Sequence, residues 1–311
     1  MTQPTRIVNA FSIDVEDYFQ VEAFSKVVDR DSWATREYRA ERNVHTLLDM
    51  LAETKTRGTF FILGWVADRS PQLVRDIANA GHEIACHGWS HKLIYKQTPE
   101  EFREETVRSK SLIEDLTGAR VRGYRAASFS IITRSMWALD TLIDLGFEYD
   151  SSVFPILHDN YGVPGAELAP FMIAAPSGRR IVEFPMSVAK YGPLTVPVSG
   201  GGYFRILPYW LVKAGLKRIN EHESRPFVFY LHPWEIDPGQ PRIENAGLKS
   251  RLRHYTNLTR CEDRLRKLLG EFSFASMEEV LERLPVGGPM AASTTARGAT
   301  PAQSVDTRRS A

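Results

Sequence analysis

Short apolar runs alternate along this chain with longer stretches whose apolar residues recur at helical spacing. Ile7-Val-Asn-Ala-Phe-Ser-Ile13 is rich in β-branched and aromatic residues and predicts a buried strand. Arg42 to Lys55 places Val44, Leu47, Leu48 and Leu51 on one helical face, and Arg57-Gly58 then separates it from a second strand-like run, Thr59-Phe-Phe-Ile-Leu63. Ser70-Pro71 supplies an N-cap and a first-turn proline, Leu73, Val74 and Ile77 supply a face, and Gly81 ends the helix before the run His82 to Cys86. Thr98-Pro-Glu-Glu101 is a capping box that opens a helix with Phe102, Thr106, Ile113 and Leu116 inward and Gly118 at its end. Val121 to Tyr124 predicts a strand, Thr133 to Leu145 a helix closed by Gly146, and Phe147-Glu-Tyr149 the start of another strand. Pro226 to Leu231 predicts a late strand and Arg260 to Leu269 a late amphipathic helix.

Strand and helix in alternation predict an α/β fold with a parallel sheet wrapped by helices, and about six or seven such units approach the size of a barrel. Residues 155–208 break this rhythm. They carry a hairpin pattern, Phe171 to Ala175 and Arg180 to Phe184 around Pro176-Ser-Gly178, and are expected to form an insertion that acts as a lid or substrate wall. No internal repeat is visible.

A chain of 311 residues with 43% hydrophobic content can bury a large core, and a net charge of +1 gives no reason to expect nucleic acid as a partner. Two cysteines, Cys86 and Cys261, make no disulfide framework, and Cys86 is expected to pack as a small apolar residue. Residues 1–6 form a short extension without a basic and apolar leader, and no run is long enough to span a bilayer. A cytoplasmic or membrane-peripheral location is therefore the expectation. The folded part is expected over residues 7–285, with 240–285 as its closing segment. Residues 286–311 lack Ile and aromatics and predict a disordered tail.

The candidate chemistry falls just past the predicted strands. Asp14, Glu16 and Asp17 follow the first, His87 and His91 the third, Arg125 the fourth, Asp150 the fifth and His232 the late one. In a parallel α/β barrel such positions converge on one face. His87 and His91, four apart, are expected to project from one helical turn, and a carboxylate from another element would complete a His, His, acid metal site. Glu16 is the first choice because strand alternation points it the same way as Asp14; Asp17 is the alternative if the chain turns sharply there.

Taken together, Thr59-Phe-Phe61, Gly81-His-Glu-Ile84, His87-x-x-x-His91, Arg125, Asp150-Ser151 and Leu231-His232 resemble the NodB-type polysaccharide deacetylases of carbohydrate esterase family four. Phe11-Ser-Ile-Asp-Val-Glu-Asp-Tyr-Phe-Gln-Val21, Gly123 to Ser130, Gly201-Gly-Tyr-Phe-Arg205, His232-Pro-Trp-Glu235 and His254-Tyr-Thr-Asn257 resemble that family's exosortase-associated exopolysaccharide branch. The resemblance spans about residues 7 to 284. It implies a distorted (β/α) barrel of about seven strands and a divalent metal, zinc first, with cobalt, manganese or nickel as alternatives. It also implies removal of N-acetyl groups from N-acetylhexosamine units of an exopolysaccharide or a lipid-linked oligosaccharide precursor, alongside exopolysaccharide assembly proteins.

By the same resemblance Asp14 is the base, Arg125 orients it, His232 is the acid, and Asp150 raises the pKa of His232. Glu16, His87 and His91 hold the metal, Leu231 lines the acetyl pocket, and the backbone of Ser128 contributes to the oxyanion hole, although the proline usual after the arginine is missing at Ala127. Gly200 to Arg205 is expected either as a flap whose Tyr203 stacks on sugar while Arg205 holds an anionic group, or as a plain turn. Trp89 and Trp234 are expected near the mouth, where either could border a pyranose. Two other readings are a glycan-binding module without turnover and an allantoinase-like hydrolase of a small cyclic amide.

Overall fold

The first apolar run forms β1 (Val8–Val15), and helix-linked strands follow as β2 (Thr59–Ile62), β3 (Glu83–Cys86), β4 (Gly123–Tyr124) and β5 (Tyr149–Asp150). The expected hairpin is β6 (Phe171–Ala174) and β7 (Arg180–Glu183), a second hairpin is β8 (Val188–Tyr191) and β9 (Leu194–Pro197), and the late strands are β10 (Val228–Leu231) and β11 (Ser273–Ala275). This computed structural model describes residues 7–158 and 161–285, so the expected extension 1–6 and tail 286–311 lie outside the described residues. No helix among the described residues is long and apolar enough to cross a membrane.

Parallel pairing runs β10-β1-β2-β3-β4-β5-β7, seven strands in one circuit among the described residues. β6 joins β7 antiparallel, and β11 lies beside the start of β1, below β2. The outer edge of β10 is met by the chain that follows β7. Val228 N–H donates to Ser187 Oγ at 2.9 Å, Tyr230 N–H donates to the Ser199 carbonyl at 2.9 Å, and Gly200 bridges to Tyr230 in parallel. A Cβ at Gly200 would lie 1.9 Å from the Tyr230 carbonyl oxygen, and its φ of 130° suits only glycine. The circuit is thereby drawn into a distorted barrel whose seam is irregular backbone. Much of 155–208 is thus built into the barrel wall.

Alternation along the strands sorts the core into two clusters. Phe11, Ile13 and Val15 of β1, with Phe229 and Leu231 of β10, face outward and pack with Val44, Leu47 and Leu51 of helix Ala40–Glu53. Each fully buried side chain of this kind contributes about 2 kcal/mol. Ala10, Phe61, Ala85, Val228 and Tyr230 face inward. Ser12, Asp14 and Glu16 continue this inner face of β1, so the period of two that builds the core also aims two carboxylates into the barrel mouth.

Helix Pro99–Thr117 begins as its sequence dictates. Glu101 N–H donates to Thr98 Oγ1 at 3.2 Å and Thr98 N–H to Glu101 Oε2 at 2.9 Å, while Gly118 ends it at a φ of 66°. Replacing Thr98 by Ala is expected to lower stability by about 1 kcal/mol, seen as a lower urea midpoint; an unchanged midpoint would show that the cap does not matter.

The candidate metal and catalytic centre

The C-terminal ends of the parallel strands bring Asp14, Glu16, His87, His91, Arg125 and His232 together, all but His232 nearly inaccessible. The ligand atoms of Glu16, His87 and His91 lie within 4.8 Å of one another, the only such group of potential metal ligands among the described residues. Glu16 Oε2 stands 2.9 Å from His91 Nε2 but has no hydrogen-bond donor, and it is buried. His87 Nδ1 contacts the Arg125 carbonyl at 2.8 Å; with the ring proton there, its Nε2 lone pair is left for the cluster. A buried carboxylate oxygen without an assigned donor, facing two imidazole rings, fits a shared divalent cation. Burial depresses the pKa of His87 to about 4, assisted by His91, so it is neutral as a ligand must be. Burial also opposes ionisation of Glu16, but His91, His232 and His87 outweigh it and hold the carboxyl near about 2.

The histidine pair does not sit on a helical turn, as its spacing had led us to expect. After β3 the chain runs through a loop in which Gly88 has a φ of 74° and His91 a φ of 52°. Its carbonyls serve another purpose: Gly64 N–H donates to the Gly88 carbonyl at 2.7 Å and Trp65 N–H to that of Trp89 at 3.1 Å, satisfying the open end of helix Gly64–Arg69. Arg30 Nε holds the Ser90 carbonyl at 2.7 Å, so the left-handed conformation of His91 is maintained by fixed neighbours.

Asp17, the alternative ligand, points away. Its Oδ1 accepts from Tyr18 N–H, and its Oδ2 accepts from Arg39 and Ala40 N–H at 2.6 and 2.9 Å, capping helix Ala40–Glu53. Asp14 Oδ1 instead accepts from Arg125 Nη1 at 2.6 Å. That guanidinium is fully buried and also donates to Ser12 Oγ, Ser151 Oγ and the Ser151 carbonyl, which fixes it in place. The other oxygen of Asp14 is 4.0 Å from His232 Nε2, which is 3.3 Å from Glu16 Oε1.

The partner of His232 is Glu235, and the role expected of Asp150 moves there. Pro233 starts a short 3-10 turn, Pro233–Ile236, that folds the chain back, so Glu235 Oε1 meets His232 Nδ1 at 2.8 Å and its backbone N–H at 3.1 Å. Burial alone would lower the pKa of His232, but Glu16, Glu235 and Asp14 together raise it to about 9. Asp150 faces Glu183 on β7 and accepts from Ser152 Oγ at 2.7 Å. Burial pushes its carboxyl up to about 6 and that of Glu183 higher still, as suits two acids sharing one proton. Ser152 Oγ in turn accepts from Ala126 N–H, beside Arg125.

Arg205 is also corrected. It lies in helix Gly201–Ile206, 1% exposed, with Nε 2.6 Å from Glu235 Oε2 and its other donors on the carbonyls of Arg253, His254 and Thr256. It braces Glu235 and has no surface to offer an anion. Trp234 is buried between the rings of His232 and His254 and stacks on both, so it is packed behind His232 and not open at the mouth. Leu231 faces the outer core, because in a strand only every second residue shares a face; Tyr230, two before His232, is the side chain on the inner side. Trp89 is half-buried under the Arg108 guanidinium, 3.4 Å from its ring centroid. Ser128 sits in a tight turn with a φ of 50°, next to Phe129 at 54°. Tyr203 is half-buried and lies at the mouth beside Tyr161. Sequence reasoning had missed Glu235, although it stands in the quoted string His232-Pro-Trp-Glu235, and Tyr230, which alternation alone would have found.

Residues 29–149 match the family model described as polysaccharide deacetylase, and residues 151–282 match a domain of unknown function, DUF3473. The chain is 26% identical over 132 residues to a peptidoglycan-N-acetylglucosamine deacetylase of Bacillus cereus, covering 39% of this chain and 47% of that one. It is 29% identical over 126 residues to a peptidoglycan deacetylase of Helicobacter pylori, covering 40% of each. The matched region therefore spans less than half the length of these relatives. Among solved structures, a candidate polysaccharide deacetylase from Mycobacterium smegmatis superposes with a TM-score of 0.59 at 23% identity over 91% of both chains, which shows a common fold.

Proposed function

Because this chain carries a polysaccharide deacetylase domain of the NodB type, we propose that it is a metal-dependent hydrolase that removes N-acetyl groups from N-acetylhexosamine units of an exopolysaccharide or its lipid-linked precursor. The observation that carries this reading is the arrangement around one buried cluster: Arg125-held Asp14 and Glu235-held His232 flank Glu16, His87 and His91. The match of residues 151–282 to DUF3473, and the strings shared with the exopolysaccharide branch, favour that substrate class.

A divalent cation held by Glu16, His87 and His91 would polarise the acetyl carbonyl and acidify a water. Asp14 takes the proton of the attacking water. Arg125 holds its carboxylate in place, with Nη1 2.6 Å from Asp14 Oδ1. His232, protonated by virtue of its carboxylate neighbours, delivers a proton to the departing amine, without which that amine would be too poor a leaving group. Tyr230, on the same face as His232, walls the site.

The test is acetate release from N-acetylated oligosaccharides by purified protein. Chelation is expected to abolish release and added zinc, cobalt, manganese or nickel to restore it, with one metal per chain by elemental analysis. Release that persists in fully metal-stripped protein would overturn the reading, and glycan binding without release would indicate a non-catalytic module.

A further inference from the structure

Beside the catalytic cluster the barrel mouth carries an arginine that the reaction does not use. Arg253 is exposed on helix Leu248–Tyr255, which also carries Lys249 and Arg251 and no acidic residue. The groups acting on its guanidinium are the phenols of Tyr161, Tyr203 and Tyr230. Its Nη2 donates to Tyr161 Oη at 3.4 Å, and the Tyr203 ring centroid is 6.0 Å away. No carboxylate pairs with it among the described residues. Two other arginines beside the centre are paired with acids, Arg125 with Asp14 and Arg205 with Glu235.

Two glycines locate Arg253 relative to the chemistry. A Cβ at Gly201 would fall 2.5 Å from Tyr230 Oη, and one at Gly202 would fall 3.6 Å from Arg253 Nε. Arg253 therefore lies one residue's width from the tip of Tyr230, whose ring stands 5.7 Å from that of His232. The backbone of Arg253 is itself fixed, because its carbonyl accepts from Arg205 Nη2 at 3.2 Å, on the guanidinium that braces Glu235.

We propose that Arg253, framed by Tyr161 and Tyr203, is a carboxylate-binding subsite that selects glycans with an acidic sugar next to the acetamido sugar. The inference rests on the deacetylase reading and adds the chemical class of its substrate. A guanidinium takes a carboxylate through two parallel N–H donors, which an uncharged hydroxyl cannot reproduce, and the phenol faces offer an apolar platform to the sugar ring. The local excess of cationic groups on helix Leu248–Tyr255 draws such polymers toward the mouth.

The experiment compares three probes: a hyaluronan tetrasaccharide, alternating glucuronate and N-acetylglucosamine; the same tetrasaccharide with its carboxylates reduced to alcohols; and tetra-N-acetylchitotetraose. Acetate release and calorimetric binding are both measured, at low and high salt. Wild-type protein is expected to prefer the acidic tetrasaccharide to its reduced form by about tenfold in kcat/KM and in Kd, a preference that shrinks with salt. Arg253→Gln is expected to bring that ratio close to one. A wild-type ratio of one, or a ratio that survives Arg253→Gln, overturns the subsite. Failure of the deacetylase reading looks different: no probe releases acetate, while the binding ratio still reports on Arg253.

Discussion

Asp14→Asn is expected to reduce acetate release by about a thousandfold while the protein keeps its fold and its metal, because the exchange removes a base and leaves Glu16, His87 and His91 in place. Asparagine has the same shape and can still accept from Arg125 Nη1, so the buried guanidinium retains that contact along with Ser12 Oγ, Ser151 Oγ and the Ser151 carbonyl. The lost charge pairing costs about 3 kcal/mol at most, well within what a domain of this size tolerates when its other donors stay satisfied. Single-turnover acetate release, elemental analysis and thermal melting on one preparation separate the effects. Wild-type turnover in the variant would remove Asp14 from the chemistry, and loss of metal together with activity would make it a ligand.

Glu235→Gln is expected to move the alkaline limb of the kcat/KM profile toward lower pH by roughly one to two units, the usual effect of one opposite charge at hydrogen-bond distance. The sign follows from the role of His232. In the proposed mechanism it is the proton donor, so activity falls as pH rises through its pKa, and Glu235 is one of three carboxylates holding that pKa up at about 9. Removing it makes the imidazolium give up its proton sooner, so activity lost near neutrality is partly regained on acidification. The same change strips Arg205 of its carboxylate partner, leaving a 1% exposed guanidinium on backbone carbonyls, and is expected to destabilise the protein by about 3 kcal/mol. Titration of metal-saturated protein decides the matter: a limb at the wild-type position would show that Glu235 braces the fold without tuning the acid.

Much of this was legible because strand period and strand ends carry it. Inward alternation on β1 aimed Asp14 and Glu16 to one side, and the residues after β3, β4 and β10 met them there, as parallel topology requires. What could not be read depended on tertiary partners. Whether Arg205 faced solvent or a buried acid was decided by Glu235, thirty residues later, and by three carbonyls beyond residue 252. Asp150 and Glu183 are brought opposite each other only by the pairing of β5 with β7. The His87 loop hid its left-handed turn because histidine seldom adopts one, and the spacing of four suggested a helix instead. Leu231 was different: the alternation that places Glu16 also places Leu231 outside and Tyr230 inside.

β1 lies between β2, the next strand in the chain, and β10, which follows it by more than two hundred residues. β1 precedes the other described strands, yet its neighbour on one side is β10, with Ala10 beside Val228, so that edge finds its partner only once β10 has been made. Asp14 and Glu16 sit on the waiting strand and His232 at the end of the arriving one. Docking of β10 on β1 therefore also brings His232 to Asp14 and Glu16. Glu16, His87 and His91 can be gathered without β10, so the pairing of this one long-range edge joins the candidate metal ligands to the proposed proton donor.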